Sequence, residues 1–250
     1  MEPLRFDKKT VQMIAHRGAS GIEPENTLSA FVAAGNRSYY GVETDVHVTG
    51  DGKFVVIHDE QTGRLTGENL VIRETPFDTL RRLRVYNLCD QERLAGMTEE
   101  QKGKRDDLFI PTLSEYIGVM KKYGKKCILH LNGHVTADDQ IRIKKEFEDA
   151  GYLDGVVFIS FTYAHMTFFR EIMPDQPLQY LIAKPVDDLV KKLNDYNLDL
   201  DIRYDLLTRD LLNEVHANGH KVNVWTCDSI EEAEKLADWG VDFITSNLLE

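Results

Sequence analysis

Eight short apolar runs recur along the chain, and longer amphipathic segments separate them. Most of the runs are almost continuously apolar, which is typical of parallel strands that are buried on both faces. The segments between them repeat apolar residues three or four positions apart, the spacing of one helical face. The eight runs cover residues 12–15, 42–48, 127–131, 156–161, 178–182, 198–202, 222–225 and 243–245.

Strands that alternate with helices predict βαβ units and a parallel sheet. Eight such units within 250 residues have the size of a (β/α)8 barrel. A doubly wound open sheet is the alternative, but no glycine-rich phosphate loop follows the first run. We therefore expect an α/β fold, a (β/α)8 TIM barrel, built as a single domain over residues 1–250.

Two segments lie outside this repeat. The turn Thr49-Gly50-Asp51-Gly52 is followed closely by an apolar stretch over residues 54–57, and an Asp-Gly turn of this kind indicates a β-hairpin. We expect an extra strand that returns from the top of strand 2. The polar segment at about 60–111 is then a small insertion after strand 2, placed over the carboxyl-terminal mouth of the barrel.

Composition excludes several classes of protein. The chain has 30 basic and 42 acidic residues, a net charge of −12, whereas nucleic-acid binders usually carry a basic surface. No run approaches the roughly 18 apolar residues of an integral membrane segment, and the first residues form no apolar signal core, so we expect a cytoplasmic protein. The isolated Cys89, Cys127 and Cys227 indicate free thiols rather than disulfides or a zinc site.

Chemically active side chains stand where strands are predicted to end. In a barrel the carboxyl ends of the strands face the active site, and His16 and Arg17 close the first run. Glu43 and Asp45 share one face of the second run, and two inward carboxylates repel each other unless a divalent cation lies between them. An edge strand with this face in water is the alternative. His58 ends the extra strand.

Together these residues fit a phosphodiester-cleaving site. Two histidines can move protons to and from the reacting oxygens, an arginine can bind phosphate, and a cation can neutralise developing charge. Periodicity alone does not select this chemistry; the combination of residues does.

The same motifs, in this order and spacing, resemble the glycerophosphodiester phosphodiesterase family. The match is close over the first ~70 residues and looser later, in segments 110–115, 160–161, 222–226 and 240–245, so it spans nearly the whole chain. The motifs are Ala15-His16-Arg17-Gly18, Glu23-Pro24-Glu25-Asn26-Thr27, Glu43-Thr44-Asp45-Val46, Thr49-Gly50-Asp51-Gly52, Val56-Ile57-His58-Asp59 and Arg64-Leu65-Thr66-Gly67.

The resemblance implies a phosphatidylinositol-phospholipase-C-like barrel that hydrolyses a glycerophosphodiester to glycerol 3-phosphate and an alcohol with a divalent cation, Mg²⁺ or Ca²⁺. It implies that His16 and His58 are the acid/base pair, that Arg17 binds phosphate, and that Glu43 and Asp45 bind the metal. It also implies that Glu25 and Asn26 support the mouth of the site. Trp225 would pack against the glycerol or head group, with a core aromatic as the alternative role.

The third strand of the barrel departs from the family pattern. The family carries a Glu-x-Lys pair there, a metal ligand and a phosphate-binding lysine, whereas this chain has His130 and Asn132. His130 as a ligand would favour Mn²⁺ or Zn²⁺, and Asn132 would donate a hydrogen bond to phosphate; the alternative is that His130 only fills space. His47, two residues beyond Asp45, is expected to have a surface or hairpin role, and contact with the site is the alternative.

Two other functions remain open from the sequence. One is a phospholipase-D-like cleavage in which an internal hydroxyl attacks and a cyclic phosphate forms. The other is a catalytically weak barrel that binds a phosphorylated ligand. The sequence leaves open the head group, the metal, the oligomeric state and which histidine is the acid.

Overall fold

Eight parallel strands close into a barrel, and a ninth strand pairs antiparallel with β2. The computed structural model describes residues 4–86, 105 and 107–250, so Cys89 and much of the predicted insertion lie outside the described residues. The strands are β1 (Gln12–Ala15), β2 (Gly41–Val48), β3 (Phe54–Val56), β4 (Lys126–Leu131), β5 (Val156–Ser160), β6 (Leu178–Ile182), β7 (Asp199–Arg203), β8 (Val222–Trp225) and β9 (Phe243–Ser246).

The strand order around the barrel is β1-β9-β8-β7-β6-β5-β4-β2, and pairing of β1 with β2 closes the ring. Each of the eight predicted apolar runs forms one barrel strand, to within a residue or two at each end. The barrel and the extra strand predicted from the sequence are thereby confirmed. The turn between β2 and β3 is the predicted one, and Val46 pairs with Val56.

Helices follow most of the strands, and local sequence sets their ends. The described helices are α1 (Leu28–Gly35), α2 (Gly63–Thr66), α3 (Phe77–Leu80), α4 (Leu113–Tyr123), α5 (Ala137–Asp149), α6 (Tyr163–Ile172), α7 (Leu189–Asp195), α8 (Arg209–Ala217) and α9 (Ile230–Trp239). Thr112 and Glu115 form a capping box before α4, which satisfies backbone N–H groups that would otherwise lack partners. Among the described helices, none is long and apolar enough to cross a membrane.

Apolar side chains fill both the space under the helices and the inside of the barrel. The inner cluster contains Ile14, Ile128, Val157, Leu181 and Phe243, all buried. Because these side chains plug the barrel, it is a packed core rather than a pore. The inward polar side chains above this plug lie at the carboxyl ends of the strands, and there they form the candidate site.

Candidate active site

A cavity opens at the carboxyl ends of the strands, above the plug of apolar side chains. Its lining combines the charged residues predicted from the sequence with an apolar wall and one further carboxylate. The lining residues are His16, Arg17, Glu43, Asp45, His58, His130, Ile159, Phe161, Leu181, Asp201, Trp225, Thr226 and Thr245. Seven of the eight predicted site residues therefore meet at one cavity, and Asn132 lies beside it rather than in its lining.

His16, at the end of β1, is held by a residue that follows the last strand. Its Nδ1 lies 2.8 Å from Asn247 Oδ1. The amide of Asn247 cannot be reversed without losing a bond, since its Nδ2 donates to Asp228 Oδ2 at 2.7 Å. Ser20 Oγ also donates to Asn247 Oδ1. Asn247 therefore accepts the Nδ1 proton of His16, and Nε2 of the neutral ring is left as a proton acceptor.

The surroundings of His16 favour this neutral ring. Burial and the neighbouring Arg17 charge lower the pKa of His16 to about 4, although the hydrogen bond to Asn247 works in the opposite direction. A histidine with that pKa is uncharged at neutral pH and can accept a proton. Its Nε2 lies 3.9 Å from Glu43 Oε2.

Glu43, Asp45 and His130 form a cluster of three possible metal ligands. One donor atom from each lies within 4.8 Å of the others, and all three residues are buried. Burial and the charge of Asp45 raise the pKa of Glu43 well above its ordinary range. Burial also acts on Asp45, but the hydrogen bond from His130 and the surrounding positive charge outweigh it and lower the pKa of Asp45. The raised pKa means that Glu43 takes up a proton more readily than an ordinary glutamate does, because a second buried carboxylate lies beside it.

Asp45 also receives hydrogen bonds from neighbouring side chains. His130 Nδ1 is 2.8 Å from Asp45 Oδ1, and Asn26 Nδ2 donates to Asp45 Oδ2 at 3.2 Å. Asn26 in turn accepts from Thr44 Oγ1, which fixes the orientation of its amide. Asn26 thereby holds the carboxylate of Asp45 in place.

The backbone and the side chain of Arg17 make different contacts. Its φ of 55° turns its backbone N–H towards Glu43 Oε2, to which it donates at 3.0 Å. Its Nη1 donates to Glu25 Oε1. Its Nε is buried, has no hydrogen-bond partner within the described part of the chain, and lies 3.8 Å from Asp45 Oδ2. Arg17 is thus a cavity-lining cation with an unused donor, which suits an anionic ligand.

His58 is oriented by the residue that follows it. Its Nδ1 lies 2.7 Å from Asp59 Oδ1, which leaves Nε2 as the nitrogen available to a ligand. Arg64, in α2, donates from Nε to Asp59 Oδ2 at 2.6 Å and from Nη2 to Glu25 Oε1 at 2.6 Å. Glu25 accepts from Arg17 as well, so one chain of charged hydrogen bonds joins Arg17 to His58 through the segment after β3.

Asn132 and His47 both contact the backbone carbonyl of His58. Asn132 Nδ2 donates to the His58 carbonyl at 2.8 Å and to Asp45 Oδ1 at 3.3 Å. His47 Nε2 is 3.0 Å from the same carbonyl. The expectation of a surface role for His47 is wrong, since the residue is 5% exposed; its place on the inward face of β2 brings it under the site.

The far side of the cavity is mostly apolar. Phe161 and Trp225 meet edge to face, with ring centroids 5.6 Å apart, and Phe161 makes a similar contact with His130 at 5.4 Å. Ile159 and Leu181 complete this wall. Phe161 is 45% exposed, so the aromatic pair is open to a ligand.

The sequence assigned no role to four polar residues that lie in the cavity lining or are linked to residues of that lining through hydrogen bonds. Asn247 stands one position after β9, where the strand-end argument would have placed it had it been applied to the last strand. Asp201 stands in a run with alternating Asp residues, a period-two pattern that indicates an inward polar face. Asp228 and Arg64 act through side chains whose direction no local pattern in the sequence reveals.

Comparison with known proteins agrees with this geometry. A model of the glycerophosphoryl diester phosphodiesterase family matches residues 16–249. The putative glycerophosphodiester phosphodiesterase YhdW of Bacillus subtilis is 30% identical, over 94% of this chain and 93% of its own. The uncharacterized protein YqiK of the same organism is 43% identical, over 92% of each chain.

One solved structure shares the fold over nearly the whole chain. An Oleispira antarctica phosphodiesterase in complex with the product sn-glycerol-3-phosphate superposes with a TM-score of 0.83 and 26% identity, over 98% of this chain and 96% of that one. Fold, site and matches together define a barrel of the phosphoric diester hydrolase class. The chain belongs to the glycerophosphoryl diester phosphodiesterase family.

Proposed function

We propose that this protein hydrolyses glycerophosphodiesters to glycerol 3-phosphate and an alcohol, with a divalent cation and with His16 and His58 as the proton-transfer pair. The observation that carries the proposal is the meeting of both histidines, Arg17 and the Glu43–Asp45–His130 cluster in one cavity. A binding protein would not need two proton-transfer groups beside a cluster of possible metal ligands. The product-bound Oleispira relative supports the choice of substrate.

The residues present fit a cation. Glu43 and Asp45 are too close and too buried to share the site as two free carboxylates, as the raised pKa of Glu43 indicates. A divalent ion held by Glu43, Asp45 and His130 would neutralise them, and it would supply Lewis-acid stabilisation of charge that develops on the phosphoryl oxygens. Two carboxylate oxygens and one imidazole nitrogen suit Mn²⁺ or Zn²⁺ better than an all-oxygen set does.

The histidines divide the proton transfers. His16 is neutral, and its Nδ1 proton is directed to Asn247, so its Nε2 takes a proton from the attacking water molecule. His58, with Nδ1 directed to Asp59, gives a proton from Nε2 to the leaving alcohol oxygen. The bond that forms joins the attacking oxygen to phosphorus, and the bond that breaks is the one to the leaving alcohol.

The other residues bind and orient the diester. The buried Nε of Arg17 donates to a non-bridging phosphate oxygen, while Glu25 holds the rest of the guanidinium in place. Trp225 packs against the glycerol or the head group. Asn132, which replaces the lysine of the family pattern, brings no charge, and its amide already donates to His58 and Asp45; it contributes to phosphate binding only if substrate displaces one of these bonds.

Hydrolysis of sn-glycero-3-phosphocholine tests the proposal. The chain is treated with chelator, dialysed, and assayed with Mn²⁺, Zn²⁺, Mg²⁺ and Ca²⁺ in turn. We expect release of glycerol 3-phosphate and choline only with added metal, and incorporation of heavy oxygen from labelled water into the phosphate. A persistent cyclic phosphate would instead show phospholipase-D-like cleavage. Tight binding of glycerol 3-phosphate without turnover under every condition would show a weak, ligand-binding barrel.

The identity of the metal is tested at His130. As a ligand, His130 contributes an imidazole nitrogen, so His130→Ala should weaken metal binding. His130→Glu should shift the preference from Mn²⁺ or Zn²⁺ towards Mg²⁺ or Ca²⁺, and adding Asn132→Lys should recover activity that His130→Glu alone lacks. If His130→Ala leaves metal affinity unchanged, His130 is not a ligand.

A further inference from the structure

One arginine that does not line the cavity lies between two carboxylates. Arg64, in α2, donates to Asp59 from Nε at 2.6 Å and from Nη2 at 3.1 Å. It also donates to Glu25 from Nη1 at 3.0 Å and from Nη2 at 2.6 Å. Both oxygens of each carboxylate are therefore bound by the same guanidinium, and this two-bond geometry makes such pairs strong and directional.

Each of the two carboxylates has one further side-chain partner, and that partner lines the cavity. Glu25 accepts from Arg17 Nη1 at 2.9 Å, and Asp59 Oδ1 lies 2.7 Å from His58 Nδ1. Arg64 is thus one carboxylate away from the group proposed to bind phosphate and one carboxylate away from the group proposed to give a proton. The contact joins the loop after β1 to the segment after β3, since Glu25 and Arg64 are 39 positions apart in sequence.

The charges along this chain of side chains alternate in sign. Burial would raise the pKa of Glu25, but the hydrogen bonds and charges of Arg64 and Arg17 outweigh burial and lower it. Burial likewise acts on Asp59, and Arg64 and His58 outweigh it and lower its pKa. Both carboxylates are therefore charged at neutral pH, and Arg64 is the cation that keeps them together.

Loss of Arg64 would release both ends of this chain. Glu25 would keep only Arg17 as a partner among the described side chains, and a carboxylate attracts a guanidinium into a two-bond pair. Such a pair would use the Nε of Arg17, which is buried and has no partner in the described part of the chain. Glu25 and Asp59 would also repel each other, so the ring beside Asp59 would lose its fixed distance from Arg17.

We propose that Arg64 is a positioning residue, which couples the phosphate-binding Arg17 to the proton donor His58. It does so by holding the carboxylates of Glu25 and Asp59 together, so that the guanidinium and the imidazole face one phosphodiester group at a fixed spacing. This inference rests on the proposed function. The spacing matters because the proton must reach the leaving oxygen of the same phosphate that the guanidinium binds, and small displacements of a reacting group lower rates strongly.

Kinetics with a matched control test the coupling. Arg64→Leu should lower kcat on sn-glycero-3-phosphocholine by roughly tenfold, within the range that supporting residues around a site usually contribute. Arg105 provides the control, because it also bridges two carboxylates, those of Glu23 and Asp107, and neither of these makes a described hydrogen bond to a residue that lines the cavity. Arg105→Leu should leave kcat and KM unchanged. Equal losses in the two variants would overturn the inference.

Phosphate affinity tests the Arg17 end. Calorimetric titration of glycerol 3-phosphate with Mn²⁺ present should show weaker binding by Arg64→Leu than by the unmodified protein, since Glu25 then competes with phosphate for the guanidinium. Adding Glu25→Gln to Arg64→Leu should recover binding, because a neutral amide attracts a guanidinium less than a carboxylate does. If Arg64 were only structural, the second change would weaken binding further, and that result would overturn the inference.

The ring of His58 tests the other end without turnover. Nitrogen-15 spectra of the metal-free protein should show the neutral ring with its proton on Nδ1, the atom directed to Asp59. Arg64→Leu should give a mixture of tautomers, because Asp59 is no longer fixed beside the ring, whereas Arg105→Leu should not. If Arg64→Leu does not fold, Arg64→Lys, which keeps the charge and loses the two-bond geometry, should show the same changes at smaller size.

The spectra and the titrations separate this inference from the proposed function. If the unmodified protein hydrolyses no glycerophosphodiester, the proposed function is wrong, while both measurements still test Arg64. An unchanged tautomer together with unchanged phosphate affinity in the Arg64 variants overturns the inference whatever the activity.

Discussion

The two walls of the cavity differ in how their polar groups are paired. On the wall built by β1, β2, β3 and β4, nearly every charged atom has a partner: Asn247 holds His16, Asp59 holds His58, and Asn26 and His130 hold Asp45. On the wall built by β5 to β8, the lining is mainly apolar, and Asp201 and Trp225 each have a buried polar atom with no partner among the described residues. The difference indicates that one wall is preorganised for chemistry and the other is left open for a substrate.

Removing a carboxylate from the charged wall should have the largest effect. Glu43→Gln or Asp45→Asn should abolish metal binding and activity together, because the cluster loses a ligand. The stability of Glu43→Gln in chelator should stay the same or rise, since the folded chain no longer buries the carboxylate whose pKa burial and Asp45 raise. Metal titration, assay and thermal unfolding check this. Intact metal affinity with a large loss of stability would mean that the pair is structural.

Substitution of either histidine should have the second-largest effect on activity. His16→Ala and His58→Ala should each lower kcat by roughly 10² or more, the usual contribution of a positioned proton-transfer group. The double variant should lose much less than the product of the two factors, because the groups act as a unit. If either single variant kept most of its activity, that histidine would have no part in proton transfer.

The hydrogen bond behind His16 should have a smaller effect. Asn247→Leu removes the acceptor of the Nδ1 proton, so the ring can rotate or adopt the other tautomer. We expect kcat to fall by roughly tenfold with little change in KM, by analogy with the loss of other supporting residues around a reactive group. Asn213→Leu, on the exposed face of α8, is the matched control. A change in KM alone would show that Asn247 shapes binding rather than proton transfer.

These side chains also show which parts of the site could be predicted from the sequence. His16, Glu43, Asp45 and His58 could be predicted because each stands at a strand end or on an inward strand face, and parallel strands bring such positions to one mouth. The hydrogen bond between His16 and Asn247, and the one between Asn247 and Asp228, could not be predicted in this way. His16 and Asn247 are 231 positions apart in sequence, and only the direction of the Asn247 amide reveals which tautomer the histidine adopts.

The acid sensitivity of the fold should reflect the burial of His16. The pKa of His16 is about 4 in the folded chain and about 6.5 when unfolded. Between these values the unfolded chain binds a proton that the folded chain does not, so stability falls as the pH is lowered. From pH 7 to 5 the metal-free protein should lose about 2 kcal/mol more than His16→Gln does. Denaturant unfolding in chelator measures this; equal losses would mean that the folded state protonates His16 normally.

We propose that the wall formed by β1 to β4 is built around a divalent cation, and calorimetric titration of Mn²⁺ into the metal-free protein measures whether one binds. In two buffers of different ionisation enthalpy near pH 6, we expect about one ion to bind per chain with release of protons, because the cation competes with protons for Glu43, whose pKa is raised by burial and by Asp45. Glu43→Gln should lose both. Absence of binding, or binding and proton release that persist in Glu43→Gln, would contradict the account.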